Sequence, residues 1–387
     1  MNFNTLFVIV PDKLSELIEK GEITKRYYNP GDLFENVHLI LTNSDTPNLE
    51  VIQKTVGSAK LYIHNVHSGK RLFFLSLFYR EYLLKIWSRS FIKLAKKYKP
   101  NLIRCHGASL NSFAAAEIKK KLNIPYLISL HTNYDEDQRK RASSLKEKIL
   151  YSLNEKIEIY GLKNADLIMP VYKPIVPYLK RLNLEKYKVL YNVINPDNIQ
   201  KKENYKIKKT LKLISVGRQF EHKNPIKILK SLSEINNVHL TLIGNGNYHK
   251  YLKNKSIELG VKNKVKFIPS MSNDALCRSL KKYDLFVVHT EYWEISKSIL
   301  EALLTGMPII INNRIGLPVP ELNKKLVHYV DNSKEDYKHA ILNLRENHEY
   351  RQKLGESAKS YAEKIWSPEV TEKKFVDIYK KFAIKYI

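Results

Sequence analysis

A chain of 387 residues exceeds one ordinary core and fits two domains of about 190 residues each. Its 43% apolar and 27% charged content belongs to a folded chain, and two cysteines, Cys105 and Cys277, are too few for a disulfide framework or metal cluster, which points to a reducing compartment. The net charge of +27 attracts nucleic acid, lipid headgroups or phosphorylated substrates alike, and with Lys outnumbering Arg about four to one it is equally a compositional bias over a solvated surface.

Met1 to Val10 lacks the charged start, apolar run and cleavage site of a signal peptide. No apolar run reaches the roughly 18 residues of a membrane-spanning helix. The expectation is a cytoplasmic chain, peripheral at most to the inner face of a membrane. The first half alternates β-branched or aromatic runs with amphipathic stretches. This predicts strands at Thr5 to Val10, Val37 to Thr42, Leu61 to Asn65, Leu102 to Cys105, Tyr126 to Leu130, Leu167 to Pro170 and Val189 to Tyr191. The longest predicted helix, Lys70 to Lys99, mixes Arg71, Arg80, Lys85, Arg89 and Lys93 with Leu, Phe and Trp87. It either covers the first sheet or lies on a membrane surface.

From Asn192 to Ile207 the chain turns polar and lysine-rich around Pro196, as an interdomain linker does. A second series of strands follows at Leu211 to Val216, Val238 to Ile243, Val265 to Ile268, Leu285 to His289, Pro308 to Asn312 and Val327 to Val330. The division expected is a first domain at 1–198, a linker at 199–209, a second domain at 210–365 and a terminal helix at 366–387 that crosses back to the first domain. Two doubly wound parallel sheets follow from the alternation.

In such sheets ligands bind where loops leave the carboxyl ends of the strands. Leu211 to Val216 is followed by Gly217, Arg218 and Lys223, with Pro225 opening a helix. A glycine admits a ligand close to the backbone, and two cations at a strand end suit a diphosphate, or are ordinary exposed charges of a basic protein. Past Leu285 to His289, a helix is expected from near Ser296 to a stop at Gly306. Its first turn, Ser296, Lys297 and Ser298, presents free amides and the positive end of the helix dipole to a phosphate. Glu294 and Glu301 bracket that turn, either accepting paired hydrogen bonds from sugar hydroxyls or standing as surface acids on a solvated helix.

Val216 to Asn224, the loop Ile243-Gly244-Asn245-Gly246, the strand Val265 to Ile268 and above all Ser298-Ile299-Leu300-Glu301-Ala302-Leu303-Leu304-Thr305-Gly306-Met307-Pro308-Ile309-Ile310 together resemble glycosyltransferase family 4. These are retaining enzymes of the GT-B fold, and the resemblance covers residues 205 to 365. The first half is similar more loosely, through His106-Gly107, Leu130-His131-Thr132 and Asn192-Val193-Ile194-Asn195.

The resemblance implies an α/β chain of two Rossmann-like domains facing each other across a cleft. It implies that Arg218 and Lys223 neutralise a donor diphosphate with the helix start Ser296 to Ser298, and that Glu301 binds the ribose. Gly217, Gly244 and Ile268 then belong to the nucleotide-binding loops, and His131 lines the donor sugar. The family's first glutamate falls where this chain has Trp293, so Glu294, one position later, joins His131 as a candidate catalytic residue. The family's glycine-rich loop after the first strand is replaced by Pro11-Asp12-Lys13-Leu14.

Fixed cations and helix amides stabilise the leaving diphosphate without a metal, so no cofactor is expected beyond the donor substrate. Asp135 and Asp137, spaced as a metal-binding pair, read as a solvated loop. The partners expected are a nucleotide sugar and a glycan or lipid-linked acceptor, with peripheral contact to an anionic membrane and no nucleic acid. Three rivals stand: a nucleotide-sugar epimerase of the same architecture, a basic nucleic-acid-binding protein, and an idle scaffold.

Overall fold

Near-continuous apolar runs make strands that are covered on both faces, and the chain builds two sheets of six parallel strands from them. The computed structural model describes residues 3–314 and 318–384. The first sheet contains β1 (Phe3–Val10), β2 (Phe34–Leu41), β3 (Lys60–Asn65), β4 (Leu102–His106), β5 (Tyr126–Leu130) and β6 (Leu167–Pro170) in the order β3-β2-β1-β4-β5-β6. The second contains β7 (Leu211–Val216), β8 (Val238–Ile243), β9 (Val265–Ile268), β10 (Leu285–Val288), β11 (Ile309–Asn312) and β12 (His328–Val330) in the order β12-β11-β10-β7-β8-β9. The winding direction reverses between β1 and β4 and again between β7 and β10, and a crevice opens where the departing loops diverge.

One compact unit comprises Met1–Glu19, Ile23–Val193 and Thr371–Ile387, the other Lys20–Glu22 and Ile194–Val370. In the first, Leu6, Val8, Leu39 and Leu102 pack with Phe375, Ile378 and Tyr379 of the last helix, Pro368–Ile384. Arg104 of β4 is buried there. Its Nε donates to Ser129 Oγ at 3.0 Å, and its Nη1 to the Tyr27 carbonyl at 2.8 Å and the Tyr379 hydroxyl at 3.1 Å. In the second unit Leu213, Leu240, Val287 and Ile310 pack with Ile228 and Leu229 on one helix and Ile341 and Leu344 on another.

Strands β5 to β9 span the residues read from the sequence, but Val189 to Tyr191 is not a strand. The segment runs beside β6 in a broken ladder: Ile168 donates to Lys186 at 2.9 Å, Lys188 to Ile168 at 2.9 Å and Leu190 to Pro170 at 2.8 Å. Between the last two, the ladder lacks the bond that Pro170 would donate to Lys188, because Pro170 has no N–H, so the pairing is interrupted there. Asp135 is no solvated loop residue either. It pairs with Arg139 at 2.7 Å and Arg181 at 2.6 Å, and although burial works the other way, these donors hold its carboxyl below the usual range.

The long helix spans Gly69–Tyr98 and is closed by Lys99 in the left-handed conformation. Leu84, Ser88, Phe91 and Ala95 form its buried stripe, while Lys85, Arg89 and Lys93 face solvent. The side chains of Arg71 and Arg80 lie outside the described residues. Trp87 donates its indole N–H to the His67 carbonyl at 3.2 Å.

Candidate functional site

Because β7 and β10 are neighbours, the loops leaving their carboxyl ends share one crevice of the second unit, a recess open to solvent. Gly217, Arg218, Lys223, Glu294, Ser296 and Ser298 all line it, so six of the residues singled out in the sequence meet there. Gly244 and Ile268 stand behind it. Gly244 has φ +136°, and a Cβ on it would lie 1.9 Å from the Gly217 carbonyl oxygen. The Gly217 N–H donates to the Ile243 carbonyl at 3.0 Å, which holds these two loop backbones together, and the Gly244 N–H donates to the Ile268 carbonyl at 2.9 Å.

The two cations differ in their state. Lys223 forms an ion pair with Glu294 and lies over the Tyr292 ring at 4.5 Å. The His222 side chain, beside it, is bonded to Glu291 at 2.8 Å, so two side-chain contacts tie the loop after β7 to the loop after β10. Arg218 is exposed and forms no ion pair among the described residues. Of the adjacent pair Trp293 and Glu294, the indole N–H of Trp293 donates to the Pro318 carbonyl at 3.1 Å, and it is Glu294 that faces the recess.

Ser296 caps the helix Lys297–Thr305, its Oγ accepting from the Ile299 amide at 3.4 Å and lying 3.0 Å from Ser298 Oγ. The Lys297 and Ser298 amides, in the first turn, have no acceptor within the helix. Gly306 terminates it at φ +87°. The Lys297 ammonium runs along the helix to within 3.9 Å of Glu301 and does not line the recess. Glu301 is 1% exposed and accepts from Asn273 Nδ2 at 2.8 Å. Burial pushes its carboxyl up, against the pull of Lys297 and Asn273.

His131 belongs to the first unit, at the carboxyl end of β5. It stacks on His106 with ring centres 5.7 Å apart at 15°, and its Nε2 is shut off from solvent without a partner. Burial, with the Arg104 charge adding to it, brings the imidazole down to about 4, so it is neutral near pH 7.

Three residues of the recess region went unread in the sequence. His289 follows β10, and its Nδ1 lies 3.0 Å from the Tyr337 hydroxyl, which donates to the Val288 carbonyl at 2.7 Å. Nδ1 is therefore the donor and Nε2 the acceptor. Asn312, at the end of β11, bonds both the N–H and the carbonyl of Thr290 at 3.0 Å. Arg314, two residues later, is buried and lines the recess. A cation just past a strand on the binding edge was the available signal for it.

Residues 36–198 match the family described as Glycosyltransferase Family 4, and residues 197–361 match Glycosyl transferases group 1. An uncharacterized glycosyltransferase of Methanocaldococcus jannaschii is 24% identical over 57% of this chain and 59% of that relative, so the match spans less than two thirds of its length. A sucrose-phosphate synthase from Thermosynechococcus elongatus has a TM-score of 0.76 at 14% identity, covering 98% of this chain and 99% of that one. Anabaena HepE in complex with UDP and glucose has a TM-score of 0.72 at 14% identity, covering 97% and 99%. These structures share the fold, two Rossmann-like sheets of the GT-B type.

Proposed function

This chain belongs to glycosyltransferase family 4, and from that premise we propose that it moves a hexose or N-acetylhexosamine from a nucleoside diphosphate sugar to a surface-glycan, polysaccharide or lipid-linked acceptor, with retention of anomeric configuration. One observation carries the reading: a single crevice gathers Arg218, Lys223 and the free amides at the start of the helix Lys297–Thr305. Cleaving a sugar–phosphate bond leaves negative charge on the diphosphate, and prepositioned donors stabilise that charge as it develops. Arg218 is assigned to the phosphates and Glu301 to the ribose. Glu294 faces the sugar end and also holds Lys223, and His131 is assigned to the donor sugar.

A lipid-linked acceptor is supported by the outward face of the helix Gly69–Tyr98, where Tyr82, Lys85, Ile86 and Arg89 are exposed. No helix among the described residues is long and apolar enough to cross a membrane.

Calorimetry with UDP, GDP, ADP and CDP and their sugar conjugates tests the reading. Binding of one conjugate by the wild-type protein, lost in Arg218→Ala, is the expected outcome. A protein that binds none of them, or an Arg218→Ala variant with undiminished turnover, sinks it. Incubation with the bound donor alone separates the epimerase reading, since an epimerase releases a new sugar isomer without any acceptor.

A further inference from the structure

Arg314 is 1% exposed, yet its guanidinium has few protein partners. Nη1 donates to the Thr290 carbonyl at 3.2 Å and to Asn312 Oδ1 at 3.4 Å, while Nε and Nη2 are buried without a hydrogen-bond partner among the described residues. No carboxylate among the described residues lies within ion-pair distance of it. A buried, unpaired charge of this kind works against folding, and its removal is often neutral or stabilising. The groups it bonds are themselves held, because Asn312 bonds both the N–H and the carbonyl of Thr290 and donates to Asn332 Oδ1 at 2.9 Å.

The unsatisfied edge is the informative part. Nε and Nη2 form the side of the guanidinium whose two parallel N–H groups match two oxygens of one phosphate. The same recess holds the capped start of the helix Lys297–Thr305, a second feature that favours an anion. Lys223 is already neutralised by Glu294.

We propose that Arg314 is a further diphosphate-binding cation of the recess, working with Arg218, and that its Nε–Nη2 edge takes two oxygens of the distal phosphate. This rests on the reading of the ligand as a nucleoside diphosphate sugar, and it goes further by adding Arg314 to the cations of the recess that meet the phosphates. Burial lowers the guanidinium to about 10, against the pull of Glu294, so it remains charged at neutral pH.

The test compares wild type, Arg314→Met and Arg314→Lys by calorimetry and thermal melting, using inorganic pyrophosphate, the best-bound nucleoside diphosphate of the panel above and its monophosphate. Arg314→Met is expected to lose at least about tenfold in affinity for pyrophosphate and the diphosphate while the monophosphate changes less than about twofold. Its unliganded melting temperature should hold or rise, which a merely structural arginine would not allow. Arg314→Lys, which keeps the charge without the fork, should fall between the two and serves as the readout if the methionine variant does not fold. Unchanged diphosphate binding in either folded variant overturns this assignment alone. Equal loss of mono- and diphosphate binding does the same. Wild-type protein that binds no nucleoside diphosphate overturns it together with the proposed function.

Discussion

Lys223 and Glu294, 71 residues apart, form an ion pair across the mouth of the recess, with side chains 24% and 20% exposed. The pair joins the loop after β7 to the loop after β10, so the cation and the acid are fixed relative to each other before any ligand arrives. Such a partly exposed pair adds on the order of 1 kcal/mol to stability at most. Its larger effect is to aim a carboxylate.

Glu294→Gln should therefore separate folding from chemistry. We expect a melting curve shifted by less than the equivalent of about 1 kcal/mol, and turnover reduced by roughly two orders of magnitude or more. Donor binding should weaken far less than turnover. Steady-state rates alongside calorimetry decide it, and a variant with wild-type turnover removes Glu294 from the reaction.

Gly244→Ala places a methyl 1.9 Å from the Gly217 carbonyl oxygen at a φ of +136°, so both sterics and backbone strain oppose it. Urea unfolding should show a loss of about 3 kcal/mol, and ligand affinity should fall because Gly217 is displaced. An alanine variant of native stability would mean that the two loop backbones separate without cost.

A pH dependence follows from the buried histidines. His38 is 1% exposed, with Nδ1 2.9 Å from His64 Nε2, and burial, reinforced by His64, brings it down to about 4. Its ordinary value is near 6.5, so the unfolded chain binds a proton that the folded one refuses. Stability is then complete above about pH 6.5 and is lost progressively as pH falls toward 4, and His131 and His289 act in the same direction. His38→Phe should flatten part of this decline in urea midpoints measured between about pH 7 and pH 4.5. Parallel curves for variant and wild type would remove His38 as a source.

Tyr379→Phe takes away one acceptor of the buried Arg104 guanidinium and leaves its shape unchanged. A lost hydrogen bond to a charged group of this kind costs about 1.5 to 3 kcal/mol. Hydrogen exchange should quicken in the helix Pro368–Ile384 and in β4, whereas β7 to β12 should keep their protection.

Much of this was readable from local sequence. Leu211–Val216 and Val238–Ile243 are strands because continuous apolar runs suit a sheet covered on both faces, and the helix Lys297–Thr305 is bounded by its own signals, the capping Ser296 and the left-handed Gly306. Val189 to Tyr191 has the composition of a strand and fails for a reason outside itself, the missing N–H of Pro170. The pairing of Lys223 with Glu294, the enclosure of Glu301 by Asn273 and the open edge of Arg314 join residues that the chain keeps far apart, or depend on which atoms are left over once neighbours are satisfied. Those facts belong to the packed structure, and no spacing rule along the chain expresses them.

The reversal of winding between β7 and β10 has a further consequence for how such a chain can diversify. Since these two strands are adjacent, Arg218 and Glu294 meet regardless of what is built from Asn224 to Asp284, provided that both strands keep their place. Helices in that stretch can lengthen, shorten or change their outer faces without moving the anchoring groups. New specificities can then arise by remodelling the flanks while the anchoring floor is inherited intact.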